Sequence, residues 1–285
     1  MNDLNNSKIS TGKTLVGIVL AIVIMVAAQT LANIIATLPV LIGLPIAVGN
    51  VLVGILYAVF TFIGVKWLCT KRLGLSLEEC KVPKFSLKPI WCIAAVVMPC
   101  MVTVILLLTN GHWENSSVDT LFAWELITGA VFFYGIGTGI VEEMIFRGVI
   151  MRTLEERWNK KVAIIVPSVL FGLIHVITRE LDFLSIIQLL IAGSIVGILF
   201  SLVTYESGSI WNAALIHAVW NMIIVGGILN IGATPSEYAI YNYVLDSDSF
   251  LITGGDFGIE ASVVAILAYA IFIGVAVLLM KKKKN

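Results

Sequence analysis

The sequence predicts an all-α fold, a polytopic membrane bundle of about eight transmembrane helices with both termini in the cytoplasm. Three observations support this fold class. Hydrophobic residues make up 59% of the chain and charged residues 13%, with a mean hydropathy of +1.01, which is outside the range of soluble globular domains. Eight apolar segments approach the roughly 20 residues that a helix needs to cross a bilayer. Lysine and arginine are concentrated in alternate connections between these segments.

The predicted spans follow one another along the whole chain. They cover residues 14–36, 48–68, 89–109, 121–145, 162–177, 185–204, 210–229 and 261–280. The first span is too long for a signal peptide and lacks a convincing small-residue cleavage site, so we expect it to remain as a helix. No internal repeat or soluble domain interrupts the pattern. We therefore predict one integral membrane domain, residues 1–285.

Charge sets the predicted orientation, because cytoplasmic connections carry an excess of lysine and arginine. The basic group comprises Lys8, Lys13, Lys66, Lys71, Arg72, Lys81, Lys84, Lys88, Arg152, Arg157, Lys160, Lys161 and the run 281–284. The other connections contain only Arg179, and the last of them carries five acidic residues, Glu237, Asp246, Asp248, Asp256 and Glu260. This alternation places both termini on the cytoplasmic side.

A cluster of three charged residues, Glu142, Glu143 and Arg147, lies at the end of the fourth span, which otherwise carries only Glu125 as a charge. A charge at bilayer depth costs a few kcal/mol on insertion scales, so such a cluster indicates a functional site facing protein or a water-filled cavity. Glu143 and Arg147 are four residues apart and share a helix face, which predicts a buried ion pair. Glu142 points about 100° away and has no local cation.

Further polar residues lie in the fifth and seventh spans. His175 is in the fifth, and His217 and Asn221 share one face of the seventh. A single intramembrane histidine is most often a strut between helices. Two histidines beside an unpaired glutamate favour a site, and we expect them to share one polar cavity with Glu142 and Glu143. Glu142 lies nearer the predicted cytoplasmic end, so this cavity is expected to open there.

Two chemistries suit one carboxylate, two imidazoles and an amide. The first is a zinc or iron site built from two histidines and a carboxylate. The second is metal-free hydrolysis, with a carboxylate and a histidine activating water and an amide stabilising the oxyanion. Asn221 favours the second, since an amide is an infrequent zinc ligand. The four cysteines lack metal-site spacing, and we predict no disulfide, metal, cofactor or nucleic-acid partner.

Glycine runs on two spans are interpreted as surfaces for close helix packing. They are Gly135-x-Gly137-x-Gly139 and Gly193-x-x-x-Gly197. The first lacks the strand–turn–helix context of a nucleotide-binding loop.

Three motifs together resemble the CPBP family, the type II CAAX prenyl endopeptidases and bacteriocin-processing (Abi) proteins. They are Glu142-Glu143-x-x-x-Arg147, Phe171-x-x-x-His175 and His217-x-x-x-Asn221. The segment 206–211 also resembles the family. The resemblance covers about residues 121–229, the expected catalytic core, and implies that Glu143 and Arg147 are structural support.

The resemblance implies a metal-independent glutamic intramembrane endopeptidase. Glu142 would activate water with the help of His175, and His217 and Asn221 would hold the oxyanion. Its substrate would be a peptide or protein at the membrane, and both a prenylated and an unmodified substrate are compatible with the motifs. The short extensions and basic tail favour a bacterial cell membrane. The alternative is a non-proteolytic bacteriocin self-immunity or membrane scaffold protein.

Overall fold

The structure is a computed structural model that describes residues 9–177 and 180–283. It is 75% helical, which confirms the predicted all-α membrane bundle. Three residues used in the charge pattern, Lys8, Arg179 and Lys284, lie outside the described residues. The orientation of the termini therefore stays a prediction from the charge pattern.

Within the residues that the structure describes, eight apolar helices form the bundle. They are α1 (Thr11–Leu41), α2 (Ile46–Leu73), α3 (Pro89–Leu107), α4 (Thr120–Arg157), α5 (Lys160–Ile177), α6 (Phe183–Ser207), α7 (Ile210–Val225) and α8 (Val263–Lys282). All except α7 are long and apolar enough to cross a membrane. Helix α7 has 11 α-helical and 5 π-helical residues, about 24 Å at 1.5 Å per residue, and is shorter than a bilayer core of about 30 Å. The predicted eight spans thus comprise seven full-length helices and one short helix.

Helix α4 changes its hydrogen-bonding pattern along its length. It is π-helical over Gly129–Thr138 and Met144–Ile150, with α-helix before, between and after these stretches. Such π-helical insertions occur frequently at functional sites. The predicted span ended at residue 145, but the helix continues to Arg157. Its last turns contain ion pairs of Arg152 with Glu155 and Glu156.

The described part of the chain also contains three short strands, which were not predicted and which form a small sheet at one end of the bundle. Strands β1 (Gly111–Glu114), β2 (Leu229–Gly232) and β3 (Tyr241–Leu245) are arranged in the order β1-β3-β2. Strand β3 pairs antiparallel with β1 and parallel with β2. We call this end, where α3 finishes and α4 begins, the sheet end, and the opposite end, where α1 begins and α8 finishes, the lysine end.

Side-chain caps mark the start of several helices. Asp182 accepts a hydrogen bond from the Ser185 backbone N–H at 2.6 Å at the start of α6, and Ser262 accepts one from Ala265 at the start of α8. Hydrogen bonds from the backbone and the side chain of Ser185 hold the pKa of Asp182 below its ordinary value, because they stabilise the ionised carboxylate.

Glycines bring helix backbones into direct contact, as the glycine runs predicted. A Cβ added to Gly54 on α2 would lie 2.0 Å from the carbonyl oxygen of Phe132 on α4, and one added to Gly137 would lie 3.1 Å from the Cα of Gly54. Likewise, a Cβ on Gly197 of α6 would lie 2.7 Å from the Cα of Ser168 on α5. The close-packing interpretation is confirmed, and it fixes α2 directly against α4.

A buried carboxylate joins four helices at the lysine end. Glu206, near the end of α6, accepts hydrogen bonds from Lys88 Nζ and from Trp91 Nε1, each at 2.7 Å. Lys283, just after α8, lies 3.1 Å from the same carboxylate. The Lys88 backbone N–H also donates to Asn212 of α7. These contacts hold α3, α6, α7 and the end of α8 together.

Candidate active site

A cavity of about 370 Å³ lies inside the bundle. Its wall contains all four residues predicted to be catalytic, Glu142, His175, His217 and Asn221. The first comes from α4, the second from α5 and the last two from α7. The structure therefore brings together side chains that are up to 79 positions apart in the sequence, from residue 142 to residue 221.

Glu143 is not part of the cavity wall, so the expectation that it lines the cavity is wrong. Its side chain is completely buried, with Oε1 2.8 Å from Arg147 Nη1 and 3.1 Å from His217 Nδ1. The ion pair predicted from the four-residue spacing is present. It turns the Glu143 carboxylate away from the cavity, behind the His217 ring.

Arg147 is a fully buried cation surrounded by aromatic rings. Its guanidinium carbon lies 4.7 Å from the ring centre of Phe171 and 5.1 Å from that of Phe200. Nη2 donates to the carbonyl oxygen of Gly197 at 3.2 Å. Ion pairing and cation–π contacts together offset part of the cost of removing the guanidinium from water. Arg147 thus links α4 to α5 and α6 immediately behind the site.

His217 lies between two carboxylates. Nδ1 faces Glu143, and Nε2 lies 3.7 Å from Glu142 Oε2. The ring stacks on Phe200 with 4.9 Å between ring centres and 19° between planes. An ionised Glu143 can only accept hydrogen bonds, so Nδ1 must carry a proton. Nε2 can then donate to a substrate oxygen only when His217 is an imidazolium.

His175 is oriented by its own helix. Its Nδ1 lies 2.7 Å from the carbonyl oxygen of Phe171. Because a carbonyl can only accept, Nδ1 is the protonated nitrogen, and in the neutral ring Nε2 keeps its lone pair. The Phe171 ring packs against the imidazole with 4.7 Å between ring centres. This tautomer suits a group that takes up or relays a proton.

Asn221 and Glu142 complete the polar wall. Asn221 Nδ2 donates to the carbonyl oxygen of Tyr134, on the π-helical part of α4, at 2.8 Å. One N–H of this amide is thereby engaged, and the second N–H remains for another acceptor. Glu142 Oε2 is buried and has no hydrogen-bond partner among the described residues. An unsatisfied buried carboxylate oxygen beside a cavity is unusual and indicates a group that binds a ligand or water.

The cavity extends toward the sheet end. Phe257 and Glu260, from the turns that precede α8, form part of its wall. The expected opening at the lysine end, which rested on the position of Glu142 along α4, stays a prediction. His175 lies only two residues before the end of α5, which brings the site close to the sheet end.

Several wall residues lie outside the motifs and were not predicted. Tyr57 comes from α2, Gln29 from α1, and Phe257 and Glu260 from the segment before α8. Tyr57 carries a weak sequence signal as a polar aromatic residue within an apolar span. The others carry none, because their approach to the site depends on contacts between helices distant in sequence.

The donor geometry also bears on metal binding. In the parts of the chain that the structure describes, no group of three or more histidine, cysteine, aspartate or glutamate side chains is arranged to hold a metal ion. The four described cysteines are free thiols, and Cys69 and Cys80 lie in contact with 3.2 Å between sulfur atoms.

Comparison with known proteins gives one family match. Residues 124–223 match the family model described as type II CAAX prenyl endopeptidase Rce1-like. This stretch contains all seven motif residues, among them every predicted catalytic residue. No curated protein matches the chain. Residues 124–223 are thus similar to the Rce1-like type II CAAX prenyl endopeptidases, and this match, together with the apolar helices, supports a CPBP family intramembrane protease.

Proposed function

We propose that this protein is a metal-independent intramembrane endopeptidase in which Glu142 and His175 activate water, and His217 and Asn221 stabilise the oxyanion. Its substrate is a membrane-associated peptide or protein. The observation that carries the proposal is the convergence of these four side chains on one cavity. Behind them, Glu143 and Arg147 form a fully buried pair that contacts His217.

The first step is attack by water on the scissile carbonyl carbon. The water gives a proton to the Glu142 carboxylate, and its oxygen forms the new bond to carbon while the carbonyl electrons move to oxygen. His175, with its Nε2 lone pair, accepts a hydrogen bond from the same water and orients it. Glu142 is suited to this role because Oε2 has no protein hydrogen-bond partner among the described residues.

The second step is collapse of the tetrahedral intermediate. Its oxyanion accepts hydrogen bonds from the free Nδ2–H of Asn221 and from Nε2–H of the His217 imidazolium. The proton held by Glu142 passes to the leaving nitrogen as the C–N bond breaks, which restores the carboxylate. Glu143 accepts a hydrogen bond from Nδ1–H of His217 at 3.1 Å and so orients the ring toward the oxyanion.

We also propose the wider organisation predicted from the sequence. Residues 121–229 form the catalytic core of a single membrane domain, 1–285, as supported by the family match over 124–223. Both termini lie in the cytoplasm, as the charge pattern indicates, and the membrane is that of a bacterial cell. The helices outside the core contribute Tyr57, Phe257 and other wall residues to the cavity.

The test is the variant Glu142→Gln, which keeps size and removes the base. Turnover of an internally quenched peptide, prepared with and without a farnesylated C-terminal CAAX sequence, should fall by about 10²- to 10⁴-fold. Glu125→Gln, on the same helix but outside the cavity wall, is the matched control and should keep wild-type turnover. Wild-type turnover in a folded Glu142→Gln protein would overturn the mechanism and favour a non-proteolytic immunity or scaffold protein.

A further inference from the structure

A tyrosine outside the family-matched segment, Tyr57, lines the same cavity as the proposed catalytic base. We propose that Tyr57 is a positioning residue whose phenol is linked to the Glu142 carboxylate through one bridging water, and that this link keeps the carboxylate ionised and aimed at the attacking water. This inference rests on the proposed function. It adds a role for α2, on which none of the three motifs lies.

The packing of α2 on α4 determines the position of Tyr57. Both helices run from the sheet end toward the lysine end, and Gly54 and Gly137 are in backbone contact. Tyr57 follows Gly54 by three residues and Glu142 follows Gly137 by five. At about 1.5 Å per residue, their Cα atoms lie about 4.5 and 7.5 Å beyond the contact point, a difference in level of about 3 Å. Both side chains also line the same cavity, at similar levels along the two helices.

The hydrogen-bonding state of the two groups is complementary. Tyr57 is only 3% exposed, yet no described residue lies within hydrogen-bond reach of its hydroxyl. Glu142 Oε2 is likewise buried without a hydrogen-bond partner. The negative charge of Glu142 is close enough to act electrostatically on the phenol. Buried polar groups are rarely left unsatisfied, and here a donor and an acceptor that lack partners share one cavity.

A purely structural tyrosine would make a different set of contacts. Tyr269, another buried tyrosine in this cavity wall, donates its hydroxyl to the backbone carbonyl of Glu260 at 3.1 Å. Tyr243, on the sheet, donates to the carbonyl of Thr109 at 2.8 Å. Both are satisfied by the protein backbone, whereas the Tyr57 hydroxyl is left for the cavity. This contrast supports a role in the reaction rather than in folding.

The expected effect has a definite sign. A hydrogen bond to the charged form of a carboxylate favours that form, so its removal makes the carboxylate easier to protonate. Other titratable groups near Glu142 stay in place when only the phenol oxygen is removed. They are His217 on α7, His175 on α5, Glu260 before α8, Tyr134, Glu143 and Arg147 on α4, and Tyr269 on α8. A shift of the acid-side inflection in the pH–rate profile therefore reports on Tyr57 itself.

The experiment measures kcat and KM against pH for the full-length protein carrying Tyr57→Phe, with Tyr243→Phe as the matched control. We expect the acid-side inflection of Tyr57→Phe to move about one pH unit upward, with kcat below the inflection reduced about tenfold and KM unchanged. Tyr243→Phe should keep the wild-type inflection. Site-specific replacement of Tyr57 by 3,5-difluorotyrosine, a stronger hydrogen-bond donor of nearly the same size, should move the inflection downward and covers the case in which Tyr57→Phe does not fold.

The outcomes separate the two proposals. If Tyr57→Phe folds with a wild-type kcat and inflection, or if difluorotyrosine leaves the inflection unmoved, this inference is overturned while the proposed function stands. Glu142→Gln is measured in the same assay. If that variant keeps wild-type turnover, the proposed function is overturned, and the inference about Tyr57 with it.

Discussion

Two buried carboxylates in this bundle have opposite surroundings. Glu206 at the lysine end accepts on both oxygens, from Lys88 and Trp91, and it also has Lys283 beside it. Glu143 in the middle of the bundle uses Oε1 for both Arg147 and His217, while Oε2 is buried without a hydrogen-bond partner. The two residues are similarly hidden, at 4% and 0% exposure.

The difference lies in what the surroundings leave unsatisfied. Around Glu143, the neighbouring atoms Glu142 Oε2 and Arg147 Nε also lack hydrogen-bond partners in the described residues, and Glu142 is part of the cavity wall. Around Glu206, the donors are sufficient and the main cavity does not reach it. Burial of a charge alone therefore does not mark a functional site. Unsatisfied polar atoms beside a cavity are the stronger indication.

The largest expected contrast is in turnover. Glu142→Gln should lower turnover by about 10²- to 10⁴-fold, because the general base is lost. Glu206→Gln should leave turnover per folded molecule unchanged, because Glu206 lies outside the cavity wall. Active-fraction titration combined with the quenched-peptide assay measures both. Equal losses of turnover in the two variants would contradict the distinction between Glu142 and Glu206.

The next contrast is in stability. Arg147→Met should cost about 3–5 kcal/mol, because it leaves Glu143 as an uncompensated buried charge. Lys88→Met should cost about 1 kcal/mol or less, since Lys88 is partly exposed and Glu206 keeps Trp91 and Lys283. Reversible unfolding in mixed micelles gives both values.

A compensating change sharpens this second contrast. Adding Glu143→Gln to Arg147→Met removes the stranded charge and should recover part of the lost stability. An Arg147→Met protein as stable as wild type would show that the pair is not the support we infer.

A smaller effect is expected where α2 meets α4. Gly54→Ala would place a methyl group 2.0 Å from the Phe132 carbonyl oxygen, so the helices must separate, at a cost of about 1–3 kcal/mol. Gly274→Ala, on α8 with nothing within 4 Å of the added Cβ, should be neutral or stabilise by up to about 1 kcal/mol. Melting temperatures in detergent compare the two alanine variants. If both melt alike, the contact does not hold α2 in place.

No change is expected when metal is removed. The proposed mechanism uses side-chain groups for each proton transfer and each oxyanion contact, so turnover should survive a strong chelator after correction for any loss of folded protein. If turnover is lost with chelator and restored by one equivalent of zinc, the glutamic mechanism is wrong and a metal-dependent mechanism takes its place. The partnerless oxygen of Glu142 would then be a metal ligand, unlike any atom of the Glu206 cluster.

Much of the fold could be predicted because its signals are local. Apolar runs located the eight apolar helices. The four-residue spacing of Glu143 and Arg147 predicted an ion pair, which the structure shows with 2.8 Å between the charged atoms. The Lys88–Glu206 contact joins residues 118 positions apart, and no sequence period reveals it. The short strands were missed because four or five residues in polar connections carry little pattern.

The candidate site divides in the same way. Its motif residues were found because charged and polar side chains are conspicuous in apolar helices. Tyr57 and Phe257 were missed because they reach the cavity through the packing of α2 and of the turns before α8. Glu143 was wrongly predicted to line the cavity, because helical spacing shows which face of α4 it lies on but not whether that face borders the cavity or packs against other helices.

Helix α4 also has a consequence for how the protein enters the membrane. Its apolar stretch has a mean hydropathy of 1.4, the lowest of the seven long helices in the described part of the chain, and the helix carries Glu142, Glu143 and Arg147. During synthesis α4 emerges before α7, so the contact between Glu142 and His217 can form only after 75 further residues have been synthesised. Arg147, by contrast, meets Glu143 within a single helical turn. The pair can therefore form during insertion and lower the charge that the translocation machinery has to partition into lipid, well before the catalytic residues assemble.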